Sequence, residues 1–129
     1  SSAKGRLAEI IVLDQFSRNI FRGDKRSFAS DSLALILSQE AIFVKADLEL
    51  DSTEKSFLYM PFMHSESALI HEEALKLFDQ EGLQGNLDFE RKHKEIIDRF
   101  GRYPHRNEIL DRKSTQEEIE FLKQPGSSF

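Results

Sequence analysis

Apolar residues recur at helical spacing along almost the whole chain, and this periodicity limits the fold more than any other feature of the sequence. Between Arg6 and Phe21 they crowd most of the circumference of one predicted helix, so this helix must be buried on more than one side. A later helix carries a regular apolar stripe, which consists of Phe89, His93, Ile96, Ile97 and Phe100. No run of four or more residues alternates convincingly at period two, the pattern of a half-buried strand. The sequence therefore predicts an all-α fold.

Turn and capping residues divide this pattern into about seven short helices. Gly23 and Gly101 each suit the residue that follows a helix C-terminus, and Pro61 is expected to end or kink a helix that begins near Thr53. The residues assigned to helix N-termini are Ser30 or Asp31, Asn86, and the capping box Ser114–Glu117. Because the connections are short, we expect antiparallel helical hairpins in a single domain over residues 1–129, without a clear internal repeat.

Composition excludes several classes of site. The chain has no cysteine, so disulfides, thiolate metal sites and cysteine nucleophiles are absent. Its four histidines follow no standard metal-ligand spacing, and we expect neither a metal nor a cofactor. The longest apolar runs, such as Ile10–Leu13, are far shorter than the roughly 18 residues that a membrane span needs. Since no signal-peptide pattern opens the chain, we expect a soluble cytoplasmic protein.

Charge argues against nucleic acids as partners. The formal net charge of −5 disfavours nonspecific binding of nucleic acids or anionic membranes by the surface as a whole. The segment Phe89–Leu122 places two predicted helices on either side of a turn, as in a helix-turn-helix DNA reader. Its last helix carries Glu117, Glu118 and Glu120, however, and carboxylates that face phosphates oppose binding. We therefore expect no nucleic-acid partner and no membrane partner.

The stretch Arg99–Asn107 belongs to a segment that locally reverses the acidic balance of the chain, since five cationic residues fall between Arg99 and Lys113. Part of the stretch is explained as a helix connector, because Gly101 suits a helix end and Pro104 a helix start. The alternative is an anion or carboxylate pocket, in which arginines bind oxygens bidentately and histidine and asparagine add donors. The candidate ligand-binding residues in this stretch are Arg99, Arg102, His105, Arg106 and Asn107.

Polar residues also interrupt the apolar patterns of other helices. Asp14 and Arg18 lie four residues apart on one face of the first helix, where they form either a buried structural pair or part of a site. His93 lies on the apolar stripe described above, where it is either a core residue bonded to a neighbour or a general base with a shifted pKa. The remaining candidates are Gln15 and Asn19 on the adjacent stripe of the first helix, and His64 and Glu66 after Pro61.

Several separated motifs resemble a known family. Leu13–Gly23 reads LDQFSRNIFRG and looks like the LDQFPRNIYRG signature of the bacterial domain of unknown function 924, with Ser17 in place of the usual proline. Tyr59–Glu66, Arg99–Asn107 and the ending Gly126–Phe129 resemble the family as well. The resemblance implies a tetratricopeptide-like helical array and an additional N-terminal region, which we expect to be absent from the residues given. It implies no reaction, because no activity is established for the family.

Three functional hypotheses follow. In the first, the chain is a helical binding module whose motifs converge on one polar cleft for an anionic small molecule or an acidic peptide. In the second, it is a small hydrolase that uses His93 or His64 as general base and an arginine to stabilise developing negative charge. In the third, it is a protein-interaction scaffold without a small-molecule site, and the motifs only connect helices. Homo-oligomerisation is compatible with each of the three.

Overall fold

The computed structural model of the chain describes residues 2–129, and within this range the regular structure is entirely helical, with no strand. The segments in chain order are α1 (Ala3–Ile11), a π-helical turn (Val12–Phe16), α2 (Ser17–Ile20), a 3₁₀ turn (Lys25–Phe28), α3 (Asp31–Phe43), a 3₁₀ turn (Ala46–Glu49), α4 (Ser52–His64), α5 (Ala68–Phe78), α6 (Gln84–Phe100), a 3₁₀ turn (Pro104–Arg106) and α7 (Gln116–Leu122). The predicted all-α class is confirmed. Because α1, the π turn and α2 follow one another without a break, they form one continuous rod.

Helix α4 is the central element of the core. It packs against α1, α3, α5 and α6, and its residues Leu58, Tyr59, Phe62 and Met63 are buried in the main apolar cluster. The Tyr59 hydroxyl donates to Asp47 Oδ2 at 2.7 Å, so the polar atom that this side chain brings into the core is paired. Consecutive helices from α3 to α6 pack pairwise, as helical hairpins do. The likeness to tetratricopeptide arrays stays a prediction.

A second, smaller apolar cluster holds the connection between α6 and α7. Gly101 ends α6 in the left-handed conformation, with φ of 72°, as the sequence predicts. The Tyr103 hydroxyl then donates to the Met63 carbonyl oxygen at 2.6 Å, which ties the connection to the C-terminal end of α4. The members of the cluster are Ile96, Ile97 and Tyr103, with Phe100 and Phe121 packed against them. The predicted basic stretch is thereby placed beside the end of α4.

Of the two outcomes predicted for Pro61, an end or a kink of its helix, the end does not occur. Helix α4 continues past Pro61 to His64. The next two side chains, Phe62 and Met63, are buried in the main core. Their burial stabilises the last turn of the helix although the proline supplies no backbone N–H group. The extra turn matters for the site, because it places His64 at the helix end.

Two predicted helix starts are displaced, that of α6 by three residues and that of α7 by one. Helix α6 begins at Gln84 rather than after Asn86, and the residue before it, Leu83, is buried and caps nothing with its side chain. Burial of Leu83 sets the start of the helix at Gln84, whereas capping preferences alone predict a start after Asn86. At α7 the capping box is present but one residue further on than predicted, with Thr115 at the cap and Glu118 in the third helical position.

Candidate functional site

The π turn places a buried carboxylate against the end of α4. Asp14 lies within this turn and is only 1% exposed. Its Oδ1 lies 2.7 Å from Nδ1 of His64 and 3.9 Å from Nε of Arg18. Single π turns inside α-helices are frequent at functional sites, where the wider turn changes the direction of side chains. The first helical rod and the last residue of α4 thus form a carboxylate–histidine pair.

The protonation state of this pair follows from its surroundings. Burial opposes ionisation of Asp14, but the hydrogen bonds from His64 and Gln15 and the charge of Arg18 outweigh it and lower the pKa of the carboxyl group. Burial lowers the pKa of His64 below its ordinary value of 6.5, although Asp14 acts in the opposite direction. At neutral pH, His64 is therefore a neutral imidazole that donates from Nδ1 to an ionised Asp14. Its Nε2 carries the free electron pair.

A second carboxylate, Asp31, holds two arginines. Its Oδ2 accepts a hydrogen bond from Arg18 Nη2 at 2.7 Å and lies 4.0 Å from Arg106 Nη1. Arg106 also donates from Nη2 to the His64 carbonyl oxygen at 2.9 Å, which fixes the guanidinium group at the end of α4. Burial raises the pKa of Asp31, against the charges of Arg18 and Arg106. The two guanidinium groups therefore share one carboxylate.

Hydrogen-bonding capacity is left unused around these arginines. The Nε atoms of Arg18 and Arg106 and Oδ1 of Asp31 are buried and have no hydrogen-bond partner among residues 2–129. The ring of Phe28 contacts both guanidinium groups, with its centroid 5.3 Å from Cζ of Arg18 and 4.6 Å from Cζ of Arg106. Buried polar groups normally find partners. Two donors and one acceptor of this arrangement therefore have no partner among the described residues.

Arg18, Arg106 and Phe28 border an open cavity of about 470 Å³, which we call the arginine cleft. It lies between the α1–α2 rod, the Lys25–Phe28 turn and the connection from α6 to α7. No Asp or Glu side chain is among the described residues that line it. The aromatic rings in its wall belong to Phe28 and Phe129. Its charged and polar lining residues are Gln15, Arg18, Asn19, Arg22, Ser27, His64, His105 and Arg106, of which all but Arg22 and Ser27 are candidates predicted from the sequence.

His105 lies in the wall of the arginine cleft but has no carboxylate partner. Its ring contacts Phe129, with centroids 4.5 Å apart, and its Nδ1 is buried without a hydrogen-bond partner in the described part of the chain. Burial and the charge of Arg106 lower the pKa of His105 to about 4. At neutral pH this imidazole is uncharged, so it contributes a polar edge to the cleft and no positive charge.

His93 is placed in the core rather than in the arginine cleft. Its Nδ1 donates to the Phe89 carbonyl oxygen at 2.7 Å. Its ring packs against Phe129 and Tyr103, with centroid distances of 3.8 and 5.8 Å. Burial lowers the pKa of His93 to about 4 despite the bond to Phe89. Of the two alternatives for this residue, the geometry matches a core histidine bonded to its neighbour.

The predicted candidates Arg99, Arg102 and Asn107 bind other residues of the chain instead of lining the arginine cleft. Arg99 donates from Nε to Glu117 at 3.0 Å. Arg102 donates from Nε and Nη2 to the two carboxylate oxygens of Glu118, at 2.8 and 2.7 Å. The side chain of Asn107 is 1% exposed, and its Nδ2 donates to the Ser114 hydroxyl at 3.0 Å and to Glu118 at 3.4 Å. All three hold the connection between α6 and α7 together.

Glu66 is likewise committed to a structural partner. Arg112 donates from Nη1 and Nη2 to its two oxygens, at 2.8 and 3.0 Å, and the Tyr103 backbone N–H donates to it at 2.6 Å. Burial opposes ionisation of Glu66, but these contacts outweigh it and lower the pKa. Glu66 lines a neighbouring cavity of about 370 Å³, which it shares with His64 and Arg106.

Sequence reasoning missed Asp31 and Phe28 as parts of the site. Asp31 reads as a helix cap, yet the structure gives α3 no side-chain cap and turns this carboxylate to Arg18, thirteen residues earlier. Phe28 reads as an ordinary apolar residue of a loop. No local spacing connects either of them with Arg106, so a single sequence carries no signal for the cluster. Arg22 also lines the arginine cleft. Its place in the family-like motif Leu13–Gly23 is the one signal in the sequence that could have added it to the candidates.

Neither a metal cluster nor a membrane helix is found in the part of the chain that the structure describes. No three or more His, Cys, Asp or Glu side chains of residues 2–129 come together in a way that could hold a metal ion. No helix in that range is long and apolar enough to cross a membrane.

A family model and a solved structure are similar to the chain. A family model described as "Bacterial protein of unknown function (DUF924)" matches residues 1–126. The solved structure of the protein of unknown function ATU0120 from Agrobacterium tumefaciens is similar, with a TM-score of 0.85 and 37% sequence identity. The similarity covers 95% of this chain and 69% of that one. Among curated proteins, none matches.

Proposed function

Because the chain belongs to the DUF924 family of bacterial proteins of unknown function, no activity comes with its family, and we propose from the site itself that the arginine cleft binds an anionic small molecule. The ligand is held through a carboxylate or phosphate group. The observation that carries this proposal is the lining of the cleft. Arg18, Arg22 and Arg106 line it, and no Asp or Glu side chain among the described residues does.

The charges around the cleft leave a positive excess. Three guanidinium groups face two nearby carboxylates, Asp14 and Asp31. Asp14 bonds mainly to His64, and Asp31 is shared by Arg18 and Arg106. Arginine presents its N–H groups in a fork that matches the geometry of a carboxylate or phosphate. In a protein of net charge −5, this local excess favours an anion as the ligand.

The size of the cleft favours a small molecule over a peptide. Its volume of about 470 Å³ lies within the range of small-molecule sites. Phe28 and Phe129 give it apolar surface beside the cationic groups, the composition that such sites usually have. A ligand with one anionic group and a short carbon skeleton uses both kinds of surface.

Replacement of Arg18 by glutamine is expected to weaken anion binding by about tenfold or more, the value of one hydrogen bond to a charged group. Titration calorimetry with inorganic phosphate, citrate and a short acidic peptide measures this. Arg91→Gln is the matched control, since Arg91 is exposed on α6, pairs with Asp88 and does not line the cleft. Binding of phosphate or citrate to the wild type and to Arg91→Gln, with the loss in Arg18→Gln, supports the proposal.

Two results would contradict it. If neither small anion binds the wild type more tightly than Arg18→Gln, the arginine cleft is not an anion site. If the acidic peptide binds more tightly than both small anions, the ligand is a peptide and the assignment to small molecules fails. Thermal unfolding of each variant shows whether a loss of binding comes from a loss of folded protein.

A further inference from the structure

We propose that the arginine cleft is also a hydrolytic site, in which His64 acts as general base on water and Asp14 positions it, and that the substrate is a carboxylic ester bearing a separate anionic group. This inference rests on the proposed anion binding, because the arginines must first hold the substrate. The geometry that supports it is the 2.7 Å contact between Asp14 Oδ1 and His64 Nδ1 at the wall of an open cavity.

The second carboxylate–histidine pair of the protein shows what a purely structural pair looks like. His71 Nδ1 lies 2.6 Å from Glu90 Oε2, and its Nε2 lies 2.6 Å from the Ser65 carbonyl oxygen, so both ring nitrogens are bonded. Both side chains are fully buried. His64 differs on both points. Its side chain is 16% exposed and lines both the arginine cleft and the neighbouring cavity, and its Nε2 has no hydrogen-bond partner among residues 2–129. A basic nitrogen is therefore available to the cleft.

The roles of the two residues follow from the tautomer. Because Nδ1–H donates to Asp14, the free electron pair lies on Nε2, where a water molecule in the cleft can give up a proton. Asp14 acts through His64 and is a positioning residue. Gln15 donates to the other oxygen of Asp14 and so helps to hold the carboxylate in place.

The reaction is balanced without a further reactant. The water oxygen forms a bond to the acyl carbon while its proton moves to Nε2 of His64. The carbonyl oxygen takes up the electron pair and becomes an oxyanion, which the guanidinium groups of Arg18 and Arg106 are available to stabilise. The bond between the acyl carbon and the alcohol oxygen then breaks, and the proton on Nε2 passes to the leaving alcohol. The products are an alcohol and a carboxylic acid, which ionises into solvent.

The substrate class follows from the charges on the same wall. Stabilising an oxyanion and holding an anionic anchor both require cationic donors, and Arg18, Arg22 and Arg106 supply three. An ester with a second, permanent carboxylate uses one arginine for the anchor and another for the oxyanion. A neutral ester of the same size lacks the anchor, so we expect the protein to prefer the anionic ester.

The experiment compares the 4-nitrophenyl monoester of succinic acid with 4-nitrophenyl butyrate, which has an acyl chain of the same length without the charge. Release of nitrophenol is followed by absorbance with the full chain and its variants. We expect saturable hydrolysis of the succinate ester in preference to the butyrate. His64→Asn, which keeps a side-chain N–H for Asp14 but has no basic nitrogen, is expected to lower kcat by ~100-fold or more. Arg91→Gln is the unchanged control.

The pH profile tests the positioning role of Asp14. The rate should rise with pH through a midpoint below the ordinary histidine value of 6.5, because His64 must be neutral to accept a proton and its pKa is lowered. Asp14 raises the pKa of His64 through its hydrogen bond and charge. Asp14→Asn is therefore expected to lower kcat and also to move the rising limb to lower pH, which a merely structural role would not do.

The inference is overturned by any of three results: no saturable turnover of the succinate ester by the wild type, equal rates with the butyrate, or full activity in a folded His64→Asn variant. Loss of activity in His105→Ala with retention in His64→Asn overturns it as well, because it moves the base to the other cleft histidine. Calorimetry with phosphate and citrate separates the two proposals. If an anion still binds while no ester is hydrolysed, the hydrolytic site fails and the anion site stands.

Discussion

Replacing Glu90 by alanine is expected to lower the free energy of unfolding by ~3–5 kcal/mol, the cost of removing one partner from a buried charged pair. Glu90 and His71 are fully buried, with 2.6 Å between Oε2 and Nδ1. The Ser65 carbonyl oxygen can only accept, so His71 must donate to it from Nε2. One proton is then shared between Nδ1 and the carboxylate. Without Glu90, the imidazole keeps an unpaired nitrogen in the core, beside a cavity.

Urea unfolding followed by circular dichroism measures this loss. Glu90→Gln is the near-isosteric control, since it fills the space and keeps a hydrogen-bonding group for His71, and it should cost less than Glu90→Ala. Replacing both His71 and Glu90 by leucine removes the two polar groups together and should recover most of the stability. A loss below ~1 kcal/mol for Glu90→Ala, the size of an ordinary exposed contact, would show that the His71–Glu90 pair does not stabilise the core as proposed.

The helical class could be predicted because the contacts that define a helix lie close in sequence. The same rules located the end of α6 at Gly101 and the capping box of α7 to within one residue. They could not locate the π turn at Val12–Phe16. The residues that flank the turn keep ordinary right-handed helical dihedrals. A π turn contains one residue more than an α-helical turn, and this extra residue cannot be recognised from an apolar pattern with a period of 3.6 residues. The sequence therefore predicts one uniform helix, and the structure shows a continuous rod with a π turn inside it.

The site could be predicted as a set of residue types but not as a set of partners. Arg18 was expected to pair with Asp14 four residues earlier, yet its short contact is to Asp31, at 2.7 Å, and Asp14 lies at 3.9 Å. Helical spacing reports neighbours on one helix only. Contacts between helices depend on how the rods pack, which a single sequence does not encode locally.

Arg102 is a second residue whose partner could not be predicted from the sequence. The sequence marks it as a candidate ligand for an anion, and the structure supplies the anion from the chain itself, as Glu118. In the sequence, Glu118 counts only as a negative charge that opposes DNA binding. Its side chain is buried, accepts two bonds from Arg102, and accepts a third from the Thr115 backbone N–H. The positive charge of Arg102 is thus neutralised by a carboxylate of the chain itself.

Acid is therefore expected to weaken the connection between α6 and α7 through Glu118. Hydrogen bonds from Arg102 and from the Thr115 backbone lower its pKa from the ordinary 4.5 to about 2. A carboxyl group with a lowered pKa stabilises the fold fully above its unfolded-state value, and the contribution is lost as the pH falls through the folded-state value. The stabilising effect of Glu118 should therefore be complete above pH 4.5 and gone near pH 2.

The variant Glu118→Gln isolates this contribution. At neutral pH it is expected to lower the free energy of unfolding by ~1.5–3 kcal/mol, the range for hydrogen bonds to a charged group. The difference from the wild type should shrink as the pH falls from 4.5 towards 2, because the wild-type carboxylate then becomes protonated too. Glu117→Gln makes the same charge change one residue away, on a side chain that is 62% exposed beside Arg99, and should change stability by less than ~1 kcal/mol. Urea unfolding at several pH values measures both variants. If the Glu118→Gln difference stays constant down to the acid limit, its origin is packing, and the charged contact with Arg102 is not what holds the connection.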